Sequence, residues 1–492
     1  MKQAHRSWAV RCAILALPLA VSIAPSPVRA GDLYLNDERE IYLALDKLNA
    51  MGRLPGFLAN TRPYDVQAVR AAVDNVSVDS FGDPQSGDSF ASWVAFYAKP
   101  TALVRGTASF SWAEHQAVPP ISGGTSIPEG FSGEISALGR YEPLPWLSAN
   151  AKGLAVWGEG GDTMSRLMES SIEFGHKYIS LQAGKITTWY GPGRHGSLIF
   201  TNNAQPYPGV RLHNPVPIPI TGLFSFLGSV QYDLFFAQLD EDRPVPDSML
   251  SGMRIAARPS RYLEIGLSRA IHYGGEGHSD GLSAWWDAFK GTHDNDPGSS
   301  GNQIAGFDVE VTLPFKAQPV QLYLEMAGED EAKCIGTPIP CPTKWATLGG
   351  IFLPAILGNP SFDIRFEYAD NHRGGDGGSW YTHGSYPHEY KGQILGHPMG
   401  TDARDLWLQG HWFFLPSTYV ELSWNRTDRY SLGPQTETTD RYAASFVGWL
   451  TKNVRTEAGF AWETVDNPGG VAGSETNTIF RLALSYQLEL GR

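Results

Sequence analysis

From about residue 102 to the C-terminal end, apolar residues recur at every second position, segment after segment. In 304–313, Ala305, Phe307, Val309, Val311 and Leu313 alternate with Gly306, Asp308, Glu310 and Thr312. In 361–369, Phe362, Ile364, Phe366 and Tyr368 alternate with Asp363, Arg365, Glu367 and Ala369. The last segment sets Phe480, Leu482, Leu484, Tyr486, Leu488 and Leu490 against Arg481, Ser485, Gln487 and Glu489. Successive side chains of a strand point to opposite faces, so each segment carries one apolar and one charged face. A transmembrane barrel with a polar lumen requires this, because only helices and closed sheets satisfy their backbone polar groups in lipid. A soluble β-sandwich shows the same period, so alternation by itself leaves both open.

Loop lengths separate the two. Alternation places strands at 102–112, 131–141, 146–157, 166–175, 178–188, 207–216, 228–239, 248–258 and 261–271. It then places them at 303–313, 319–328, 345–356, 361–369, 405–414, 418–426, 440–450, 454–463 and 476–489, eighteen in all. Connections are long and short in turn: 113–130 then 142–145, 272–302 then 314–318, 370–404 then 415–417. Long loops on one side and tight turns on the other mark an outer-membrane barrel, with the long side extracellular. The expected fold is an all-β transmembrane barrel of about eighteen antiparallel strands (102–492) with a small α-helical periplasmic domain (31–101) before it. Composition agrees: 15 Trp, 20 Tyr, 23 Phe, 54 Gly and 34 Pro, with 18% charged residues, suit short strands and turns.

The first 30 residues read as a cleaved secretory signal. Lys2, Arg6 and Arg11 precede an apolar run from Cys12 to Ala24, and Val28-Arg29-Ala30 offers a small-residue cleavage site. The run is shorter than the ~18 residues a spanning helix needs. Four of the 38 Lys and Arg lie in this leader and all 51 Asp and Glu lie after it, so the remainder carries a formal −17. That charge excludes nucleic-acid partners. In 32–75, Asp37 and Glu40 have capping-box spacing ahead of Ile41, Leu45 and Leu48, and Val66, Val69 and Val73 suggest a second short helix. Cys334 and Cys341 are expected to form a disulfide in the oxidising compartment outside the cytoplasm.

The chain resembles the Wzi-type capsule-assembly proteins of the Gram-negative outer membrane. The resemblance rests on Trp189-Tyr190-Gly191-Pro192-Gly193, Gly196-Ser197-Leu198-Ile199 and Asn202-Asn203-Ala204-Gln205-Pro206. It continues through 263–269, Gly274-Gly275-Glu276-Gly277, 302–308, Gly328-Glu329-Asp330-Glu331, Gly396-His397-Pro398-Met399-Gly400 and Asp402-Ala403-Arg404. It implies an eighteen-stranded barrel closed towards the periplasm by helices and narrowed outside by loops. It also implies a lectin-like, non-catalytic role in holding capsular or exopolysaccharide at the cell surface. The helical segment here is short for a complete plug, and the chain ends Leu490-Gly491-Arg492 rather than on an aromatic residue.

Sugar recognition needs flat aromatic faces and planar amide or carboxylate partners for hydroxyls. The long loops carry both, and the candidate contacts are Tyr273, Glu276, Trp285, Trp286, Asp287, Trp380, Tyr381, His383 and Tyr386. The alternative is that these rings form the interfacial girdle or pack the loops into the barrel mouth. The Gly-, Pro- and Asn-rich stretch with Trp189, Tyr190, Gly191, Pro192, Gly193, Asn202 and Asn203 is read as loop-shaping rather than ligand-binding. No catalytic or metal constellation is found: Glu329, Asp330 and Glu331 are adjacent acids at a strand end, and His383, His388 and His397 lack zinc spacing. No cofactor is expected. The expected partners are surface polysaccharide, outer-membrane lipid and the polysaccharide export machinery, with the barrel acting as a monomer. Lumen charges such as Asp308, Glu310, Glu325, Asp363, Arg365 and Glu367 are expected to pair structurally, with a porin-like channel as the rival.

Overall fold

The computed structural model describes residues 31–74, 87–161, 163–290, 301–329, 331–333, 340–342, 344–373 and 380–490. The expected leader (1–30) and Cys334 of the expected disulfide lie outside the described residues. Around that cysteine, Glu331–Lys333 pairs with Pro340–Pro342 in a short antiparallel ladder.

Eighteen antiparallel strands close on themselves, counting one interrupted strand once. In chain order they are β1 (Ala102–Ala113), β2 (Gly130–Leu144), β3 (Leu147–Gly158), β4 (Thr163–Leu167 continuing as Ser170–His176), β5 (Ile179–Ile186) and β6 (Tyr207–His213). Next come β7 (Ser229–Gln238), β8 (Met249–Ser260), β9 (Leu263–Tyr273), β10 (Gly301–Leu313), β11 (Val320–Glu329) and β12 (Trp345–Leu353). The last six are β13 (Phe362–Asp370), β14 (Ala403–Leu415), β15 (Thr418–Arg429), β16 (Glu437–Trp449), β17 (Val454–Asp466) and β18 (Ser474–Leu490). Closure is the pairing of β18 with β1, in register from Ala102↔Leu490 to Ala113↔Ile479. All eighteen expected segments are strands. The proline-rich 207–216 stops as a strand at His213, ahead of Pro215.

The alternation now has its physical meaning. Leu322, Leu324, Phe362, Ile364, Phe366, Leu482 and Leu484 are exposed on the outer wall, while Gln321, Glu325, Asp363, Arg365 and Glu367 on the same strands are buried inside. A water-soluble sandwich would bury the opposite set.

The helical segment packs within the barrel. α1 (Arg39–Ala50), α2 (Val66–Ala72) and α3 (Gly87–Ala98) sit inside the short-turn end of the lumen. Ile41, Ala44, Leu45 and Leu48 of α1 pack with Phe90, Val94 and Tyr97 of α3 and with Phe413 and Tyr419 of the wall. Asp65 caps α2 by accepting from Gln67 N at 2.6 Å. The capping box expected at Asp37 and Glu40 does not form, because ion pairs with the wall take both side chains. Asp37 binds Lys152 at 2.6 Å, and Glu40 binds Arg455. Further pairs tie this layer down: Lys47–Asp363 at 2.7 Å, Arg39–Glu421 at 2.7 Å and Arg140–Glu38 at 3.2 Å. Glu264 accepts from the backbone of Ala59 at 3.0 Å and Asn60 at 3.1 Å. Buried charge requires a partner, and here the lumen and the helices supply one another's.

Candidate functional site: the long-loop face and the vestibule beneath it

Two inward-folded loops complete what the short helices leave open. The first is 187–206. Trp189 and Tyr190 pair with Arg62 and Thr61 of the helical layer, so this loop descends to the middle of the lumen. Its bottom is fixed by carboxylates of the wall. Glu325 accepts from Leu198 N at 2.9 Å and from the Ser197 hydroxyl at 3.0 Å. Glu367 accepts from Arg194 N at 2.7 Å and His195 N at 3.0 Å. Gly191, at φ +135°, has no room for a side chain: a Cβ would lie 2.5 Å from Ser197 Oγ and 2.6 Å from Glu325 Oε2. Pro192 and Gly193 turn the chain back, and both carbonyls accept from the Arg194 guanidinium. Asn202 binds Asn36 at 2.6 Å, and Asn203 binds the Ile394 carbonyl at 3.0 Å. These residues are buried and engaged with protein.

The second loop, 380–402, lies on the first. Tyr381 donates to the Leu198 carbonyl at 2.7 Å, Thr201 N donates to the Leu395 carbonyl at 2.7 Å, and His388 Nε2 meets the Ile199 carbonyl at 2.6 Å. Burial holds His388 and His397 as neutral rings, each pulled down to about 4. Three of the aromatic candidates therefore hold this packing together and present no ring to a ligand. Trp380 is 0% exposed, donates to the Lys344 carbonyl at 2.7 Å and meets Tyr381 edge to face. Tyr386 is also 0% exposed and donates to the Gly274 carbonyl at 3.0 Å. Tyr381 is buried too, and Tyr273 is buried separately, on the outward face of β9. This corrects the expectation that those four rings face sugar: the loop carries Trp380, Tyr381 and Tyr386 into the lumen, where apolar rings find a drier environment than above it, and Tyr273 is covered on the outer wall.

Trp285, Trp286 and Asp287 are elsewhere. They lie on a helix, α4 (Leu282–Phe289), which packs on the outer wall at the long-loop end instead of standing above the mouth. Of the nine candidates, Glu276, Trp286 and Asp287 are exposed, and Trp285 and His383 are half-buried. Glu329 is 1% exposed and accepts from Tyr381 N at 2.6 Å, so it serves loop architecture. Asp32, Asp65 and Glu173 form one tight buried carboxylate group among the described residues. Each has a structural partner: Arg211 for Asp32, the Gln67 and Gly31 amides for Asp65 and His213 for Glu173.

The sequence reading missed a vestibule. A cavity of about 400 Å³ runs along β1–β3 and β14–β18, above Asp37 and Arg39 and below Pro119–Thr125. Its space comes from small inward residues on three consecutive strands: Ala443 and Ser445 on β16, Gly459 and Ala461 on β17, Ala483 and Ser485 on β18. That signal was visible in the alternating pattern as small residues at lumen positions. Gln409, Ser423, Asn425 and Thr107 line it with amide and hydroxyl groups, and Arg481–Glu134 at 3.1 Å forms part of its wall. Despite the upward push of burial, the Lys152 ammonium beside Asp37 holds that carboxyl below its ordinary range. Neutral hydroxyl-binding groups and paired ions suit a hydrated polar ligand.

Comparisons with known proteins agree with this architecture. The family model described as capsule assembly protein Wzi matches residues 80–479. A Klebsiella pneumoniae protein described as an uncharacterized 55.8 kDa protein in the cps region is 32% identical over 214 residues. That match covers 42% of this chain and 41% of the relative, so the chain spans less than half of that relative's length. The solved structure of Wzi is described as an outer membrane protein involved in group 1 capsule assembly in Escherichia coli and a carbohydrate-binding β-barrel. It is similar at a TM-score of 0.72 and 20% identity, covering 94% of this chain and 99% of that one. With the family model spanning well over half of the 492 residues and the barrel, inner helices and inward loops in place, this chain belongs to the family of the capsule assembly protein Wzi.

Proposed function

We propose that this outer-membrane barrel is a non-enzymatic, lectin-like protein that binds capsular or exopolysaccharide on its long-loop, extracellular face and organises it at the cell surface. Membership of the capsule assembly family carries this reading. The leader 1–30 exports the chain, and the short-turn end faces the periplasm, as tight turns do in outer-membrane barrels. Glycan meets Glu276, Asp287 and His383 at the rim, and a chain end or branch enters the vestibule to reach Gln409, Ser423 and Asn425. Each contact is weak, and a repeating polymer engages many barrels at once, so avidity supplies the retention. The barrel works as a monomer beside the export machinery. Against the rival channel stands the lumen packed with α1–α3 and two inward loops, whose charges are paired.

The test is binding of the purified barrel to the surface polysaccharide of its source cell, alongside the variants Glu276→Gln/His383→Ala and Asn425→Leu. Saturable binding, weakened several-fold by either change in a correctly folded barrel, is expected. No binding by the folded wild type, together with a large steady single-channel conductance, would turn the assignment to the channel.

A further inference from the structure

Helix α4 has three distinct faces. At about 100° per residue, Ala284, Trp285 and Ala288 fall on one stripe, Leu282, Trp286 and Phe289 on a second, and Ser283, Asp287 and Lys290 on a third. The first stripe meets the outer wall. Trp285 lies 5.7 Å from the ring of Phe236, and Ala288 is buried with Met249, Ile271 and Tyr273. These wall residues point outward: Phe236 neighbours inward Phe235, and Ile271 shares a face with exposed Leu267. The helix also covers polar groups that would otherwise face lipid. Gln303 donates to the Ala288 carbonyl at 2.5 Å, and the Arg269 guanidinium lies 4.9 Å from the Phe289 ring.

The second stripe is apolar and open at Leu282 and Trp286, while Phe289 is half-buried against the wall. Leu282 is 62% exposed and Trp286 50%, with Phe289 stacked on Trp286 at 5.3 Å and 9°. The third stripe is polar, with Asp287 paired to Lys290 at 2.9 Å. A soluble surface helix has one apolar stripe against the protein and a polar remainder. A second apolar stripe between the wall face and the water face has a free-energy reason only beside another apolar medium. That medium is at hand, because the stripe continues the lipid-facing wall on which α4 lies, through Ile255 and Leu267 below it. We infer that α4 is an interfacial anchor: its Leu282–Trp286–Phe289 stripe binds the acyl chains of the outer leaflet, and its Ser283–Asp287–Lys290 stripe faces water. Trp286 then serves the membrane rather than sugar, and α4 fixes the height of the long-loop face above the bilayer.

The experiment places a nitrobenzoxadiazole label at Leu282→Cys or Asp287→Cys, in a background with Cys334→Ser and Cys341→Ser. The folded barrel is reconstituted in phospholipid vesicles with or without brominated acyl chains. The expected result is strong quenching by brominated lipid and little by aqueous iodide at 282, with the reverse at 287. Iodide quenching at both positions would overturn the inference and make α4 a solvated loop helix. Protection from both quenchers at 282 would also overturn it, by showing that protein covers the stripe. A barrel that loses heat-modifiability on labelling is replaced by Trp286→Cys, read in the same way.

Discussion

Removing the Lys47 ammonium should unseat the helical layer without dissolving the barrel. Lys47 is 0% exposed, and its Nζ lies 2.7 Å from Asp363 Oδ2 and 4.6 Å from the centre of the Phe413 ring. Asp363 also meets His411 at 2.7 Å, so Lys47→Met leaves this buried carboxylate with one partner. Breaking a buried ion pair from one side costs about 3–5 kcal/mol. At tenfold per ~1.4 kcal/mol, the population with the helical layer displaced rises by roughly two to three and a half orders of magnitude. The barrel keeps its closed strand ladder, so the change should read as frequent channel openings in planar-bilayer recordings, with heat-modifiable migration preserved. Lys47→Met/Asp363→Leu replaces both charges by apolar groups of similar size and should return conductance close to wild type. A Lys47→Met barrel as silent as wild type, or a double variant as leaky as the single one, would refute the pairing as what seats the layer.

Other outcomes follow from the loops. Trp380→Ala empties a fully buried ring site and should cost about 3–5 kcal/mol of local stability, seen as faster hydrogen exchange across 380–402, whereas Trp286→Ala should leave that exchange unchanged. Acidification should loosen the same loop. Burial holds His388 and His397 at about 4, below the unfolded value of about 6.5, so their stability is complete above that value and is lost as pH falls towards 4. Each ring contributes at most about 3 kcal/mol. In the helical layer burial pushes the Asp46 carboxyl up, so its contribution is complete below the ordinary carboxylate range and lost as pH rises. Hydrogen exchange at pH 7.5 and 4.5, corrected for intrinsic rates, should therefore rise in 380–402 and not in α1. A uniform rise would refute the assignment.

The strands were legible because a barrel wall stands between two media, and each residue's side is fixed by its parity. That local rule located even the proline-rich β6. The division of lumen charges into pairs was legible in kind, since Asp363, Arg365 and Glu367 occupy inward positions. Their partners were not, because Lys47, Asp46 and Arg194 are 160 or more residues away in the chain. Residues 187–206 announced a rigid fold-back through Gly191, Pro192 and Gly193, though not that it would descend to Thr61 and Arg62.

The sequence by itself thus determined the barrel, the number and order of its strands and its two unlike ends. Tertiary structure decided the duty of each loop aromatic. Trp380 and Trp286 both stand mid-loop, each beside another aromatic residue. One loop turns inward and seals Trp380 beneath Lys344 and against Tyr381; the other turns outward and lays α4 on the wall with Trp286 uncovered. A loop has no parity rule. Its direction depends on the space left by distant elements — here short helices that leave the mid-lumen open, and an outer wall with Arg269 and Gln303 to be covered. Such space exists only once the barrel has closed.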